Sequence, residues 1–280
     1  VEPFRPPPVF LKGGAVQWAL MRIDLSGKRV LVTGGNGGLG AAMCGAFAAA
    51  GARVAVSYQS GPDKAKAVVE AIKDGGGEAT AIRSDVSDPD SVGAMFASLD
   101  HAFGGIDILV NNAGIDGARA AAWDSEVAAW TKVIAVNLTG AYLCAREALR
   151  RMVAQRAGVI VNTSSVHERI PWGGYSAYAA SKAGLSMMAK TLALEAAPHG
   201  VRVLCIAPGA IRTPINRAVW SDPQGYRDLL QKIPLGRIGT PEEIADLAVM
   251  LASDRAGYVT GTTVFADGGM TNYPDFSHGG

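Results

Sequence analysis

Cysteine and histidine are both scarce in this sequence, and neither is spaced to hold a metal. The three cysteines, Cys44, Cys144 and Cys205, stand singly in apolar surroundings, and His101, His167, His199 and His278 form no ligand-spaced pair. That pattern argues against a disulfide scaffold or a zinc site and fits a reduced, cytoplasmic protein. Charge of one sign is missing as well. The 26 Lys and Arg are scattered among 25 Asp and Glu, for a formal net charge of +1. Such a balance supports neither a nucleic-acid partner nor a membrane surface. The uncharged stretch over 33–52 is mostly Gly and Ala and contains a glycine turn, so no membrane span is expected.

No proline-rich or charged linker divides the middle of the 280 residues, so one domain is expected over 23–280. Residues 1–22 differ in character, with Pro6-Pro7-Pro8 and Gly13-Gly14 ahead of the first strand signal. They read as an extension without an assigned role, with Met21 a candidate start. No long apolar core precedes a small-residue cleavage site there, which argues against a signal peptide.

Hydrophobic residues make up 49% of the chain and charged residues 18%, proportions that suit a sheet buried on both faces. Apolar runs near 29–33, 53–58, 79–84, 106–111, 158–163, 201–206 and 262–266 read as strands. Helical patterns fall near 39–51, 62–74, 89–103, 127–155, 176–197 and 241–252, with Gly or Pro at most junctions. The alternation predicts a single doubly wound α/β domain: a seven-stranded parallel sheet with helices on both faces. Its ligand should lie beyond the carboxyl ends of the strands. The irregular stretch 210–233 is a candidate lid over substrate.

Strand 29–33 runs into Gly34-Gly35-Asn36-Gly37-Gly38-Leu39-Gly40 and then a small-residue helix, the order of a dinucleotide-binding unit. Glycines let the backbone approach a pyrophosphate whose charge meets the helix N-terminus. Further on, Tyr178 and Lys182 lie four residues apart, one turn of a helix. An ammonium about 4 Å from a phenol, at an effective dielectric of about 20, favours the phenolate by roughly 4 kcal/mol. That is about three pKa units, enough to bring a tyrosine toward neutrality as a general base or acid.

Thr33-Gly34-x-x-x-Gly38-x-Gly40 is followed in order by Asp85-Val86, Asn111-Asn112-Ala113-Gly114, Asn137, Ser165, Tyr178-x-x-x-Lys182 and Pro208-Gly209-x-Ile211-x-Thr213. This series, over residues 24–273, resembles the short-chain dehydrogenase/reductase family. The resemblance implies a Rossmann-type fold, an NAD(P) cofactor and hydride transfer at a CH–OH group. It implies Tyr178 as base, Ser165 as the group that fixes the substrate oxygen, and Lys182 as the residue that lowers the tyrosine pKa and reaches the ribose. Asn137 would help hold a water linking Lys182 to solvent. Gly34, Asn36, Gly37, Gly38, Leu39, Gly40, Tyr58, Gln59, Ser60, Asp85, Val86, Asn112, Ala113, Gly114, Pro208, Gly209, Ile211 and Thr213 would join Tyr178 and Lys182 around the cofactor. The second strand ends Val56-Ser57-Tyr58-Gln59-Ser60, with neither acid nor base, and Gly37 brings no basic side chain. Gln59 and Ser60 suit a 2′-hydroxyl or a 2′-phosphate, so use of both NAD and NADP is expected.

Residues 164–172, 208–216 and 265–274 are most similar to the glucose 1-dehydrogenases. That likeness implies a polar substrate, an aldose oxidised at C1 to its lactone, with His167 and Asn216 as hydrogen-bond partners. The alternatives are reduction of another carbonyl, such as a 3-oxoacyl thioester or small ketone, and a non-catalytic nucleotide sensor or scaffold. The family resemblance implies a homotetramer. The apolar Leu185, Met187, Met188, Leu192 and Leu194 around the Tyr178 helix exceed what one side of a sheet needs.

Overall fold

The computed structural model describes residues 23–214 and 220–272. Seven parallel strands lie in the order β3-β2-β1-β4-β5-β6-β7. They are β1 Arg29–Val32, β2 Arg53–Tyr58, β3 Glu78–Arg83, β4 Ile108–Asn111, β5 Gly158–Thr163, β6 Val201–Pro208 and β7 Thr263–Ala266. Helices α1 Gly38–Ala49, α2 Pro62–Asp74, α3 Pro89–Phe103, α4 Val127–Ile134, α5 Ala141–Gln155, α6 Ser176–Ala196, α7 Pro223–Leu230 and α8 Pro241–Ala252 connect them. The predicted strands and long helices are present with ends shifted by a few residues at most. The 210–233 stretch contains α7, and its residues 215–219 lie outside the described residues, as does the extension 1–22. Strand order reverses between β1 and β4, and such a switch point opens a crevice at the carboxyl ends of both strands.

Alternation within each strand divides the core into two layers. Val30, Val32, Ile108, Val110, Val161 and Leu204 face one layer with Met43 and Phe47 of α1. Leu31, Leu109, Ile160 and Val203 face the other, with Phe96 of α3 and Met152 of α5. Strands buried on both faces must be apolar at every position, which is why these runs read as continuous rather than alternating. At the amino ends of the strands Arg29 forms a forked pair with Asp107, 2.8 Å from Nε and 2.9 Å from Nη2. This pair fastens the edge of the sheet remote from the crevice.

Residues 127–155 run as one helical rod of 29 residues, long and apolar enough by composition to cross a membrane. That corrects the expectation of no such segment. In this fold Cys144, Ala145, Ala148 and Met152 of the rod pack into the second core layer. Its middle, Ala135–Gly140, widens into a π-helical segment that contains Asn137. Such π segments are frequent at functional sites. Gly140 permits the close approach to β3's end, where a Cβ would meet Val86 at 2.9 Å.

Phe96 is fully buried in the second layer. Phe96→Ala should lower the unfolding free energy by about 3–5 kcal/mol through lost transfer energy and a residual cavity. Urea unfolding checks this, and a loss under about 1 kcal/mol would mean the core collapses around the gap.

Candidate active site

The crevice begins with a stitch between the ends of β1 and β4. The Thr33 hydroxyl accepts hydrogen bonds from the backbone N–H groups of Asn112 and Ala113, both at 3.0 Å. In return Asn112 Nδ2 donates to the carbonyls of Thr33 at 3.0 Å and Gly34 at 3.1 Å. The glycine turn lies against this stitch. Gly34 sits at φ +62, and a Cβ on Gly40 would collide with the Gly34 carbonyl and Asn112 Nδ2. Gly37 precedes α1 without a side-chain cap, so the first N–H groups of that helix stay available to an anion. Nearby the hydroxyls of Ser57 and Thr213 are buried without a hydrogen-bond partner among the described residues. A cradle that a Cβ would fill, with unsatisfied hydroxyls around it, fits a dinucleotide cofactor.

On one side of Gly114 lies a cleft of about 310 Å³ that Gly34, Gly37, Tyr58, Gln59, Ser60, Asp85, Val86 and Ala113 help to line. Asn36 also lines it, but its side-chain amide is spent on the Ser60 carbonyl at 2.7 Å. The strand end itself carries neither acid nor base, yet the fold supplies one of each. Asp85 accepts from Gln59 Nε2 at 2.7 Å, and Lys64 of α2 lines the same cleft. The Ser87 hydroxyl, donating to Asp85 at 2.6 Å, holds that carboxyl below its usual range. Lys64 escaped the sequence reading because it lies beyond the Gly61–Pro62 turn, off the strand.

On the other side of Gly114 a cleft of about 280 Å³ collects Leu39, Ser165, His167, Tyr178, Lys182, Pro208, Gly209, Ile211 and Thr213. Trp220 and Leu229, from the connection after β6, also reach its wall. Asn216 lies outside the described residues. The Ser165 hydroxyl accepts the His167 N–H at 3.2 Å, which fixes the loop after β5. Lys182 is buried, with Nζ donating to the Thr163 carbonyl at 2.7 Å and lying 5.6 Å from the centre of the Tyr178 ring.

This geometry corrects the Coulombic expectation for the tyrosine. Burial pushes the Tyr178 phenol up to about 12, against a hydrogen bond with Ser165 that lowers it. Burial also pushes the Lys182 ammonium down to about 8. Desolvation penalises both charged forms, and a spacing argument made for exposed side chains omits it.

Asn137 reaches the site through a loop. Its Oδ1 accepts the Ile115 N–H at 2.8 Å, while its Nδ2 donates to the Ile115 carbonyl at 2.9 Å and to Ser181 at 3.1 Å. Ser181 in turn donates to the Tyr178 carbonyl at 2.7 Å. Asn137 is thus a clamp between the loop after β4 and α6. An aromatic panel faces the cleft. His167 stacks on Trp172 at 4.4 Å, Trp172 on Tyr175 at 3.9 Å, and Tyr178 stands edge-on to the first two. One lining carboxyl, Asp116, was missed, because nothing distinguishes it from any loop aspartate until the loop is folded.

A family model described as Enoyl-(Acyl carrier protein) reductase matches residues 34–271. The 3beta-hydroxysteroid dehydrogenase 1 of Eggerthella lenta is 49% identical over 91% of this chain and 98% of its own length. The chain belongs to the short-chain dehydrogenase/reductase family. This dehydrogenase is also similar to glucose 1-dehydrogenase 2 of Bacillus subtilis, at 42% identity over 90% of this chain and 97% of that protein. A solved Beutenbergia cavernae protein, provisionally named an NAD(P)-dependent gluconate 5-dehydrogenase, superposes with a TM-score of 0.85. It is 36% identical, is matched over 90% of this chain and all of its own, and holds NADP at low occupancy. The protein is an oxidoreductase that acts on CH–OH groups with NAD(P), which sets aside the non-catalytic alternative.

Thr33→Val keeps the shape of the dehydrogenase's turn but leaves two N–H groups without an acceptor. The expected loss is about 1–3 kcal/mol of stability together with weaker NADH binding. Thermal unfolding and fluorescence titration with NADH read the two effects, and an unchanged Kd would remove the stitch from cofactor binding.

Proposed function

We propose that this protein oxidises a hydroxyl carried on a six-membered ring, with glucose at C1 as the first substrate. The observation that carries the reading is the lining of the Tyr178 cleft, where Ser165 lies with His167 and Trp172 and offers a saturated ring both polar and apolar contacts. Relatives at 49% and 42% identity are named for a hydroxysteroid and for glucose, both hydroxyl-bearing rings. Ile211, Trp220, Leu229, Ile238 and Met270 give the cleft an apolar wall, which with the relative at 49% identity favours a steroid instead. Reduction of a 3-oxoacyl thioester or small ketone has the description of the family model in its favour but no feature of the cleft.

Bound NAD(P)⁺ supplies the hydride acceptor. Tyr178 Oη takes the proton of the substrate hydroxyl, and the Ser165 hydroxyl holds the substrate oxygen against it. Lys182 fixes the floor of the site through Thr163, and the proton that Tyr178 takes has to leave the phenol again before the next turnover. Asn137 keeps the loop at Ile115 in register with α6. Lys64 and Asp85 together make the adenosine cleft suited to NADP and NAD alike.

A panel of aldoses, cyclohexanols and 3β-hydroxysteroids with NAD⁺ and NADP⁺, run beside ketones and acyl thioesters with NADPH, tests the reading. Turnover of ketones or thioesters alone would overturn it. Tyr178→Phe should lower kcat by at least about a hundredfold while cofactor affinity holds, since positioned acid–base groups contribute 10² to 10⁴-fold. With the phenol pushed up to about 12, the phenolate fraction gains about tenfold per pH unit below that value. Oxidation should therefore quicken steadily from about pH 7 to 10, and a flat profile would dismiss Tyr178 as base.

The assembly proposed is a symmetric homotetramer in a reducing cytoplasm. On α6, Leu185 and Leu192 are buried and Met188 packs against the core, but Met187 and Leu194 stay 61% and 80% exposed. Trp130 of α4 and Tyr142 of α5 are exposed too, so apolar groups that the chain's own core does not use recur on the helices beside the site. All three cysteines are buried and unpaired, which agrees with a reducing setting. Sedimentation at micromolar concentration should give four times the 28.9 kDa chain mass, and a monomer would refute the assembly.

A further inference from the structure

Asp116 occupies the substrate cleft without a task in the reaction. It lies on the loop after β4, and that loop is held on both sides of it. Ile115 is clamped through its N–H and carbonyl by Asn137, and the Ala120 N–H donates to the Gly174 carbonyl at 3.0 Å. Gly117 between them sits at φ +79, where a Cβ would come within 2.8 Å of Val133, so little slack remains. The Asp116 carboxyl is half-buried and accepts no hydrogen bond among the described residues. Its charge is nonetheless felt at Lys182, His167 and Tyr178. A carboxylate withdrawn from water without a donor is unfavourable unless a ligand brings one.

His167 presents the same demand. Its Nδ1 lies 3.0 Å from the Ile170 carbonyl. A carbonyl can only accept, so Nδ1 carries the proton and Nε2 is left as an acceptor in the neutral ring. Burial lowers the pKa of this imidazole and favours that neutral form. One cleft therefore holds two acceptors, Asp116 and His167, beside the reacting pair Tyr178 and Ser165.

We propose that Asp116 selects the substrate by accepting a hydrogen bond from a second, non-reacting hydroxyl on the ring, with His167 Nε2 accepting from a third. This rests on the ring-alcohol reading and narrows it to polyhydroxylated rings. Two acceptors need two O–H donors, which a sterol skeleton does not offer near its reacting carbon. A substrate carboxylate at that place meets repulsion.

The test compares cyclohexanol with cyclohexane-1,2-, 1,3- and 1,4-diols in wild type and Asp116→Asn, with NADH binding as the control for an intact fold. In wild type at least one diol should exceed cyclohexanol by about tenfold or more in kcat/KM, the ordinary worth of a hydrogen bond to a charged group. In Asp116→Asn that advantage should fall below about threefold, because a neutral amide is the weaker acceptor, while the loss of the charge near Tyr178 acts on diol and cyclohexanol alike and cancels in the ratio. Asp116→Ser serves if the first variant fails the NADH control. A diol advantage that persists in the variant, or equal loss on diol and cyclohexanol, overturns the proposal and leaves the ring-alcohol reading standing. If wild type oxidises no ring alcohol, including the aldoses, both fall.

Discussion

The hydrogen bonds between Thr33 and Asn112 are the constraint on which the rest of the site depends. They join the two strands at which the sheet reverses its order, and every other part of the crevice is measured from that join. The glycine turn lies against Asn112, and Gly114 two residues on borders both the cleft at Gln59 and the cleft at Tyr178. Backbone N–H groups buried at a strand end must find acceptors, and one threonine hydroxyl provides for two of them. A single short side chain thereby converts a gap between crossovers into a shaped site.

Much of this was legible in the sequence because the motifs are local. A strand, a glycine turn and a helix occupy contiguous residues, and Tyr178 and Lys182 are one helical turn apart, so pattern and spacing locate them. Lys64 and Asp116 were not legible, since each acquires meaning only from neighbours that the fold brings in from elsewhere. The Asp85–Gln59 contact is of the same kind, a pairing across two strands. The tyrosine pKa failed for a different reason. Spacing gives the distance between two charges but says nothing about the water removed from around them, and here desolvation dominates.

Electrostatics also separates the two ends of the sheet. At the amino ends, forked pairs such as Arg29–Asp107 are complete within the chain and ask nothing of a ligand. At the carboxyl ends, hydroxyls, a carboxyl and an imidazole nitrogen are left without partners among the described residues. Stability and reactivity are thus assigned to opposite edges of one sheet, and side chains can change at one with limited effect on the other.

The π-helical segment Ala135–Gly140 changes what one residue of chain length means at this point. A π turn holds one residue more than the α-helical turn it replaces, so removing one residue there would restore a regular α-helix with α4 and α5 still close to register. Cys144 and Met152 would keep the core layer they fill, while the residues displaced would be those of the segment itself, Asn137 opposite Ile115 among them. The extra residue thus serves the clamp at Asn137 and leaves the packing of the helices on either side to their own side chains.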